Sequence, residues 1–243
     1  MSLKLAPIGV EKRPARTARL LSVAAVIPAY NEEKRIAPVL KALAETDDIT
    51  EIIVVSDGST DGTYEVASSM PKVRAVQLSS NRGKGGAMLA GANLAKADAL
   101  VFFDADLTSL TPEHVRTLIG PVQSGEVDMA TGVLVAGRWA TDIAQYFSPN
   151  ITGQRSIRRD VFLKVPDLDN VGYGIELAIN YYVWHNGFSW TRVKLAGVSH
   201  PMKEEKLGWV RGTLSRTQMY WQMLRFRISY ELHGRAPRKK IAK

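Results

Sequence analysis

From Val23 to Pro112 the chain repeats one unit: a short apolar run, a polar loop containing glycine or aspartate, then a helical pattern. Val23–Ile27 is rich in β-branched residues and closes at Pro28. Ile36, Val39, Leu40 and Leu43 then recur at i, i+3, i+4 and i+7, the spacing of one helical face. Ile52–Val55 reads as a second buried strand ending at Asp57-Gly58-Ser59, with Thr60 or Asp61 placed to cap the next helix. Val73–Leu78 is a third strand, followed by a loop over Asn81–Gly86 and an Ala-rich helix to about Lys96. Ala99–Phe103 is a fourth, closed by Asp104, after which Thr111-Pro112 supplies an N-cap and a first-turn proline. Strands separated by helices return in the same direction, so the alternation predicts an α/β domain of Rossmann type: a mostly parallel sheet flanked by helices.

The second half is less regular. Asp128–Val135 and Thr191–Leu195 read as strands, and Arg158–Lys164 and Ile175–Trp184 as helices. Ala136–Gln154 has no period and is assigned to loops around an active site. The chain divides into a basic N-terminal extension (1–20), one α/β domain (21–206), and an amphipathic helix with a basic tail (207–243). In that last segment Leu214, Trp221, Leu224 and Ile228 form a stripe, with Arg211, Arg216, Arg225 and Arg227 nearby. Such a helix suits an anionic membrane surface, its own domain, or a second subunit in a homodimer. No apolar run reaches the ~18 residues of a membrane span, and Ser22–Ile27 reads as a core strand, not as a signal peptide. The absence of cysteine excludes disulfides and thiolate metal sites and fits a cytoplasmic location. A net charge of +8 points to anionic partners. The basic residues are spread along the chain without an RNA-binding motif, so nucleic acid is not expected.

Ligands of open α/β sheets bind at the carboxyl ends of the strands. Three polar loops leave strands there: Pro28–Glu33, Asp57–Gly62 and Asp104–Leu107. In Asp104-Ala105-Asp106 the carboxylates are two residues apart, so at an extended strand end they point the same way and can share a cation. Hard oxygen ligands suit Mg2+ or Mn2+, which neutralise a departing diphosphate; the same residues also serve as a solvated turn with helix caps. Asp57 is placed to accept a hydrogen bond from a nucleobase or ribose, or simply to form a turn. Asn81-Arg82-Gly83-Lys84-Gly85-Gly86 sets two cations on a flexible backbone at a helix start, a phosphate cradle without P-loop spacing.

Taken together, Pro28-Ala29-Tyr30-Asn31-Glu32-Glu33, Asp57-Gly58-Ser59-Thr60-Asp61-Gly62, the Asn81–Gly86 loop and Asp104-Ala105-Asp106 resemble family 2 glycosyltransferases of GT-A fold. They particularly resemble the dolichyl- and polyprenyl-phosphate sugar synthases, and the likeness covers roughly Val23 to His200. It implies a metal-dependent transferase of a sugar from a UDP- or GDP-sugar. Pro28, Ala29, Tyr30, Glu32 and Asp57 would hold the nucleoside, with Lys84, Asp104 and Ala105 beside it. Asp104 and Asp106 would form the metal and diphosphate site. Thr152-Gly153-Gln154-Arg155 and Gly172-Tyr173-Gly174-Ile175-Glu176 resemble segments of small soluble relatives comparable to glucosyl-3-phosphoglycerate synthases, in which a late histidine completes the metal site. That resemblance puts His200 beside Asp106 as a metal ligand, and Gly153, Gln154, Arg155 and Glu176 at the acceptor.

Glu176 is the candidate base for a hydroxyl acceptor, although a phosphate acceptor needs none. Arg138, Arg155, Arg158 and Arg159 flank the acceptor region, Arg155 being preferred for an acceptor phosphate. The expected acceptor is polyprenyl phosphate or another lipid, met by an enzyme peripheral to the inner face of the membrane. The alternative is a soluble transfer to a small acceptor such as phosphoglycerate. A nucleotidyltransferase would carry a glycine-rich loop directly after the first strand, where this chain has Pro28-Ala29-Tyr30-Asn31. A non-catalytic nucleic-acid-binding protein rests on charge alone.

Overall fold

The computed structural model describes residues 19–135, 152–169 and 174–199. Arg138, Gly172, Tyr173, His200 and the segment from Leu207 lie outside them. Strand β1 (Val23–Ala29) is fully buried through Ile27 because it occupies the middle of the sheet. It pairs in parallel with β2 (Ile49–Ser56) on one side and β4 (Ala99–Phe102) on the other, and β3 (Val73–Gln77) extends the sheet beyond β2. The sheet has seven strands in the order β3-β2-β1-β4-β6-β5-β7, where β5 is Met129–Val135, β6 is Arg155–Arg158 and β7 is Trp190–Ala196. All pairings are parallel except those of β6, which runs antiparallel to both β4 and β5.

Alternate residues of each strand face opposite layers. Val23, Ala25, Ile27, Ile52, Val54 and Val101 pack with α1 (Ile36–Ala44), α2 (Thr63–Ser69) and α4 (Pro112–Gln123). Ala24, Val26, Ile53, Val55, Leu100 and Phe102 pack with α3 (Gly83–Leu94), α5 (Arg159–Phe162) and α6 (Ile175–His185). The four apolar residues that predict α1 are its buried face, each at 0% exposure. Thr111 caps α4: its hydroxyl accepts from the His114 N–H, and the imidazole accepts from the Thr111 N–H.

Two local expectations are corrected. Helix α3 begins at Gly83, inside the segment read as a loop. Its glycines serve close packing: a Cβ at Gly85 would collide with the Leu168 carbonyl, and one at Gly91 with Val26. Residues 155–157, to which the sequence assigns no element, and Arg158, read as the start of a helix, form β6, and the helix after it spans only Arg159–Phe162. In Arg155-Ser156-Ile157-Arg158 one aliphatic side chain stands among polar ones, so no apolar run announces a strand wedged between two others.

Candidate active site

The strand order reverses direction between β1 and β4, so the loops leaving β1, β2 and β4 open onto a common crevice. The first two are stapled together. The Asn31 N–H donates to Ser59 Oγ (3.2 Å), and its side-chain oxygen accepts from the Thr60 N–H (2.9 Å). The Glu32 N–H donates to Thr63 Oγ1 (2.8 Å), and Glu33 exchanges bonds with Asp61 and the Gly62 N–H. Asn31 has φ 55°, a left-handed conformation that asparagine tolerates better than most residues. Pro28 is half-buried, Ala29 buried, and Tyr30 exposed at 48%, an aromatic surface at the mouth of the crevice.

Asp57 is only 3% exposed and ties three segments together. Its N–H donates to the Ala29 carbonyl (2.8 Å), and Oδ1 accepts from the Arg82 N–H (2.7 Å) where α3 begins. Gly58 follows with φ 68°, and a Cβ there would lie 2.6 Å from the Asn81 nitrogen, so glycine is required on both counts.

Lys84 sits in the first turn of α3, where the helix dipole disfavours a cation. Two carboxylates reverse that: Nζ is 2.7 Å from Asp104 Oδ1 and 2.8 Å from Glu176 Oε1. Burial alone would push the ammonium down, but Asp104 and Glu176 outweigh it and hold Lys84 above the ordinary lysine value. Glu176 stands in the first turn of α6, where the dipole favours an anion. Asp104 also accepts a hydrogen bond at Oδ2 from Gln154 Nε2 (2.9 Å), and the Gln154 side-chain oxygen accepts from Thr152 Oγ1 (2.7 Å). Gly153 lies against this pair: a Cβ would be 2.6 Å from both Asp104 Oδ2 and Lys84 Nζ.

Ala105 is buried and Asp106 half-buried just beyond. Among the described residues no three histidine, aspartate or glutamate side chains gather as a metal-holding group. His200 lies outside the described residues, but Ser199 before it forms a bridge with Thr108: Thr108 N–H to Ser199 O is 2.9 Å and the return bond 3.3 Å. The chain entering position 200 is therefore bonded two residues beyond Asp106.

The candidates Asp57, Lys84, Asp104, Gly153, Gln154 and Glu176 thus meet along one edge. Arg155, expected to face an acceptor phosphate, is placed differently: β6 turns it into the layer of α3 and α6, where it has no exposed surface. Arg158 and Arg159 lie at the far end of β6; Arg158 pairs with Asp160 and Asp128, and Arg159 Nε donates to the Ala92 carbonyl. Asn180, which bonds Arg155, was not singled out from the sequence. The signal that marks it is a polar residue four positions after Glu176, on the same helix face.

The model of glycosyl transferase family 2 matches residues 24–176, which takes in every strand-end motif above and ends on Glu176. Glycosyltransferase AglD of Haloferax volcanii is 36% identical over 143 residues, 54% of this chain and 22% of that protein. Dolichyl-phosphate beta-glucosyltransferase of Drosophila melanogaster is 35% identical over 133 residues, 49% of this chain and 41% of its own. The chain therefore spans less than half of either relative. The fold is similar to glucosyl-3-phosphoglycerate synthase of Mycobacterium tuberculosis in complex with phosphoglyceric acid, with TM-score 0.66, 22% identity, and coverage of 84% of this chain and 80% of the other. The same protein in complex with Mn2+, UDP and glucosyl-3-phosphoglycerate superposes with TM-score 0.62 at 25% identity, covering 81% and 80%. The sheet is that of a GT-A domain, and by the extent of the family match the chain belongs to glycosyl transferase family 2.

Proposed function

We propose that this protein transfers a sugar from a UDP- or GDP-sugar to a phosphorylated acceptor, preferentially a polyprenyl phosphate or another phosphorylated lipid. The observation that carries the reading is the Lys84 ammonium held between Asp104 and Glu176 beside the stapled loops of β1 and β2. The Pro28–Glu33 loop and Asp57 form the nucleoside side of the crevice, with Glu32 and Tyr30 at its rim. Lys84 meets the donor diphosphate as a point charge. Asp104 and Asp106 are hard oxygen donors on one strand end, the type that Mg2+ or Mn2+ takes, and the Thr108–Ser199 bridge supports His200 as a further ligand. A bound divalent ion would neutralise charge on the leaving diphosphate. Ala105, between them in sequence, is buried in the core.

The acceptor approaches past Gly153 toward Glu176; Gln154, expected from the sequence to touch it, is fully buried and instead fixes Asp104. A phosphate oxygen is already a nucleophile, so Glu176 then orients Lys84 and the acceptor; with a hydroxyl acceptor it takes the proton. Positioning and electrostatic stabilisation supply most of the rate. The lipid acceptor is favoured by the similarity to dolichyl-phosphate beta-glucosyltransferase and to an undecaprenyl-phosphate sugar transferase of Edwardsiella ictaluri, 37% identical over 112 residues. No helix among the described residues is long and apolar enough to cross a membrane, so we place the enzyme at the inner membrane face by peripheral contact through residues 207–243. The second reading, transfer to a small phosphorylated acid, is favoured by the similarity in fold to the phosphoglycerate-bound synthase.

Calorimetric titration of UDP-glucose, UDP-galactose, UDP-N-acetylglucosamine and GDP-mannose, with and without Mn2+, tests the donor half. One donor binding only with metal is expected. Product formation from that donor with polyprenyl phosphate or 3-phosphoglycerate then separates the acceptors. Binding of none of the four donors would overturn the assignment.

A further inference from the structure

Arg155 has 0% exposure, a rare location for a guanidinium and a costly one. Among the described residues it forms no ion pair; its partners are neutral oxygens. Nη2 donates to the Thr152 carbonyl at 2.7 Å, while Nη1 reaches Asn180 Oδ1 at 3.2 Å and the Glu176 carbonyl at 3.5 Å. Nε is buried with no partner. Burial pushes the group down to about 10, and the nearby carboxylates of Glu176 and Asp104 act against that fall. A methionine would fill this space without the desolvation cost, so packing alone gives no reason for an arginine.

The acceptors it engages explain its place. Thr152 opens the turn whose Gly153 abuts Lys84 and Asp104 and whose Gln154 bonds Asp104. Glu176 and Asn180 belong to the first turns of α6. These two segments form opposite walls around the Lys84 bridge, and Arg155 joins them from behind. Building on the glycosyl-transfer reading, we propose that Arg155 is a positioning residue. By bonding the Thr152 carbonyl and the start of α6 together, it sets the separation of Asp104 from Glu176 that Lys84 spans, without touching donor or acceptor. The planar fork of donors is what the task requires; a lysine offers one point charge on a shorter reach.

The test compares the full-length wild type with Arg155→Met, Arg155→Lys and Asn180→Ala. The last removes one acceptor and keeps the arginine, and so serves where the arginine variants fold poorly. Amide hydrogen exchange is expected to quicken about tenfold or more over 152–154 and 174–180, with β1 and β2 amides unchanged, because only the local opening energy falls. With the donor identified by calorimetry, kcat is expected to fall about 10- to 100-fold while donor and acceptor KM move less than about threefold, the pattern of lost alignment. Asn180→Ala should show a weaker form of both effects, and Arg155→Lys should not rescue them. Quickened exchange throughout the sheet would reduce Arg155 to a core residue and overturn the proposal. So would unchanged exchange with a raised acceptor KM, which marks direct contact. Should wild type bind no donor, the glycosyl-transfer reading fails, yet the exchange pattern still decides whether Arg155 joins the two walls.

Discussion

Lys84 combines three circumstances that are unfavourable separately: a cation at a helix N-terminus, partial burial, and a fixed rotamer. The two carboxylates within 2.8 Å offset all three. Because its folded value lies above the ordinary one of 10.5, the stability it contributes is fully present below that pH and is lost only as pH rises through the folded value. Lys84→Met leaves Asp104 and Glu176 facing each other without a cation. It should destabilise the protein by about 1–3 kcal/mol at pH 7, a deficit that holds below the ordinary lysine value of 10.5 and shrinks only as pH rises above it. Denaturant unfolding of both proteins at pH 7, 9 and 11 measures this; equal stability of the two proteins at pH 7 would show that the ion pairs contribute nothing. At Gly153 the methyl of alanine would stand 2.6 Å from Asp104 Oδ2 and Lys84 Nζ. Gly153→Ala should therefore cost about 100-fold in turnover with the unfolding midpoint within a few degrees of wild type, and wild-type rates would exclude this turn from the site. Asp106→Ala is expected to abolish metal-dependent turnover while the protein stays folded, as read by circular dichroism alongside a donor-consumption assay.

At the level of elements, what the sequence makes legible follows from how much of each segment's energy is local. Helix α1 is read from Ile36, Val39, Leu40 and Leu43 because one apolar face accounts for its stability. The site carboxylates Asp57 and Asp104 are read because each ends an apolar strand run. Strand β6 escapes because its stability is non-local: it inserts between β4 and β5, from residues well separated in sequence, and it buries an arginine. The glycine-rich start of α3 looks like a loop because helix propensity disfavours glycine, whereas contact with Leu168 and the sheet requires it. The Gln154–Asp104 bond and the link from Asn180 to Arg155 join residues whose adjacency only the sheet topology creates. The hidden strand carries a test of its own. Ser156 Oγ is buried without a partner, so it contributes a desolvation cost and no bond. Ser156→Ala should leave stability unchanged or raise it by up to about 1 kcal/mol, measured by urea unfolding. A loss above about 1 kcal/mol would mean that the hydroxyl is bonded in solution.

For the whole molecule, the question is whether the half that carries the proposed nucleoside loops is a unit in its own right. The strands β3-β2-β1-β4 with α1 to α3 look self-sufficient in chain order, since every β-α unit there is local. Their packing says otherwise. The outer edge of β4 pairs along Ala99–Phe102 with β6, and Leu100 and Phe102 share a core with Ile157, Phe162 and Ile179; the Phe102 and Phe162 rings are 4.8 Å apart. A chain ending at Val135 would expose that strand edge and an apolar face, the combination that invites aggregation. It would also take Gln154 from Asp104 and Glu176 from Lys84, so the proposed diphosphate side of the crevice would lose its fixed geometry. Such a fragment is therefore expected to show no cooperative unfolding transition and no UDP binding with Mn2+. The full chain should unfold in one transition that coincides by near- and far-ultraviolet circular dichroism. A fragment that melts cooperatively and binds UDP within about tenfold of the full chain, about 1.4 kcal/mol, would show that β6 and α6 merely cover a completed nucleotide site. Failure of both properties would show that the antiparallel strand which is hardest to read in the sequence is what makes the two halves one folding and binding unit.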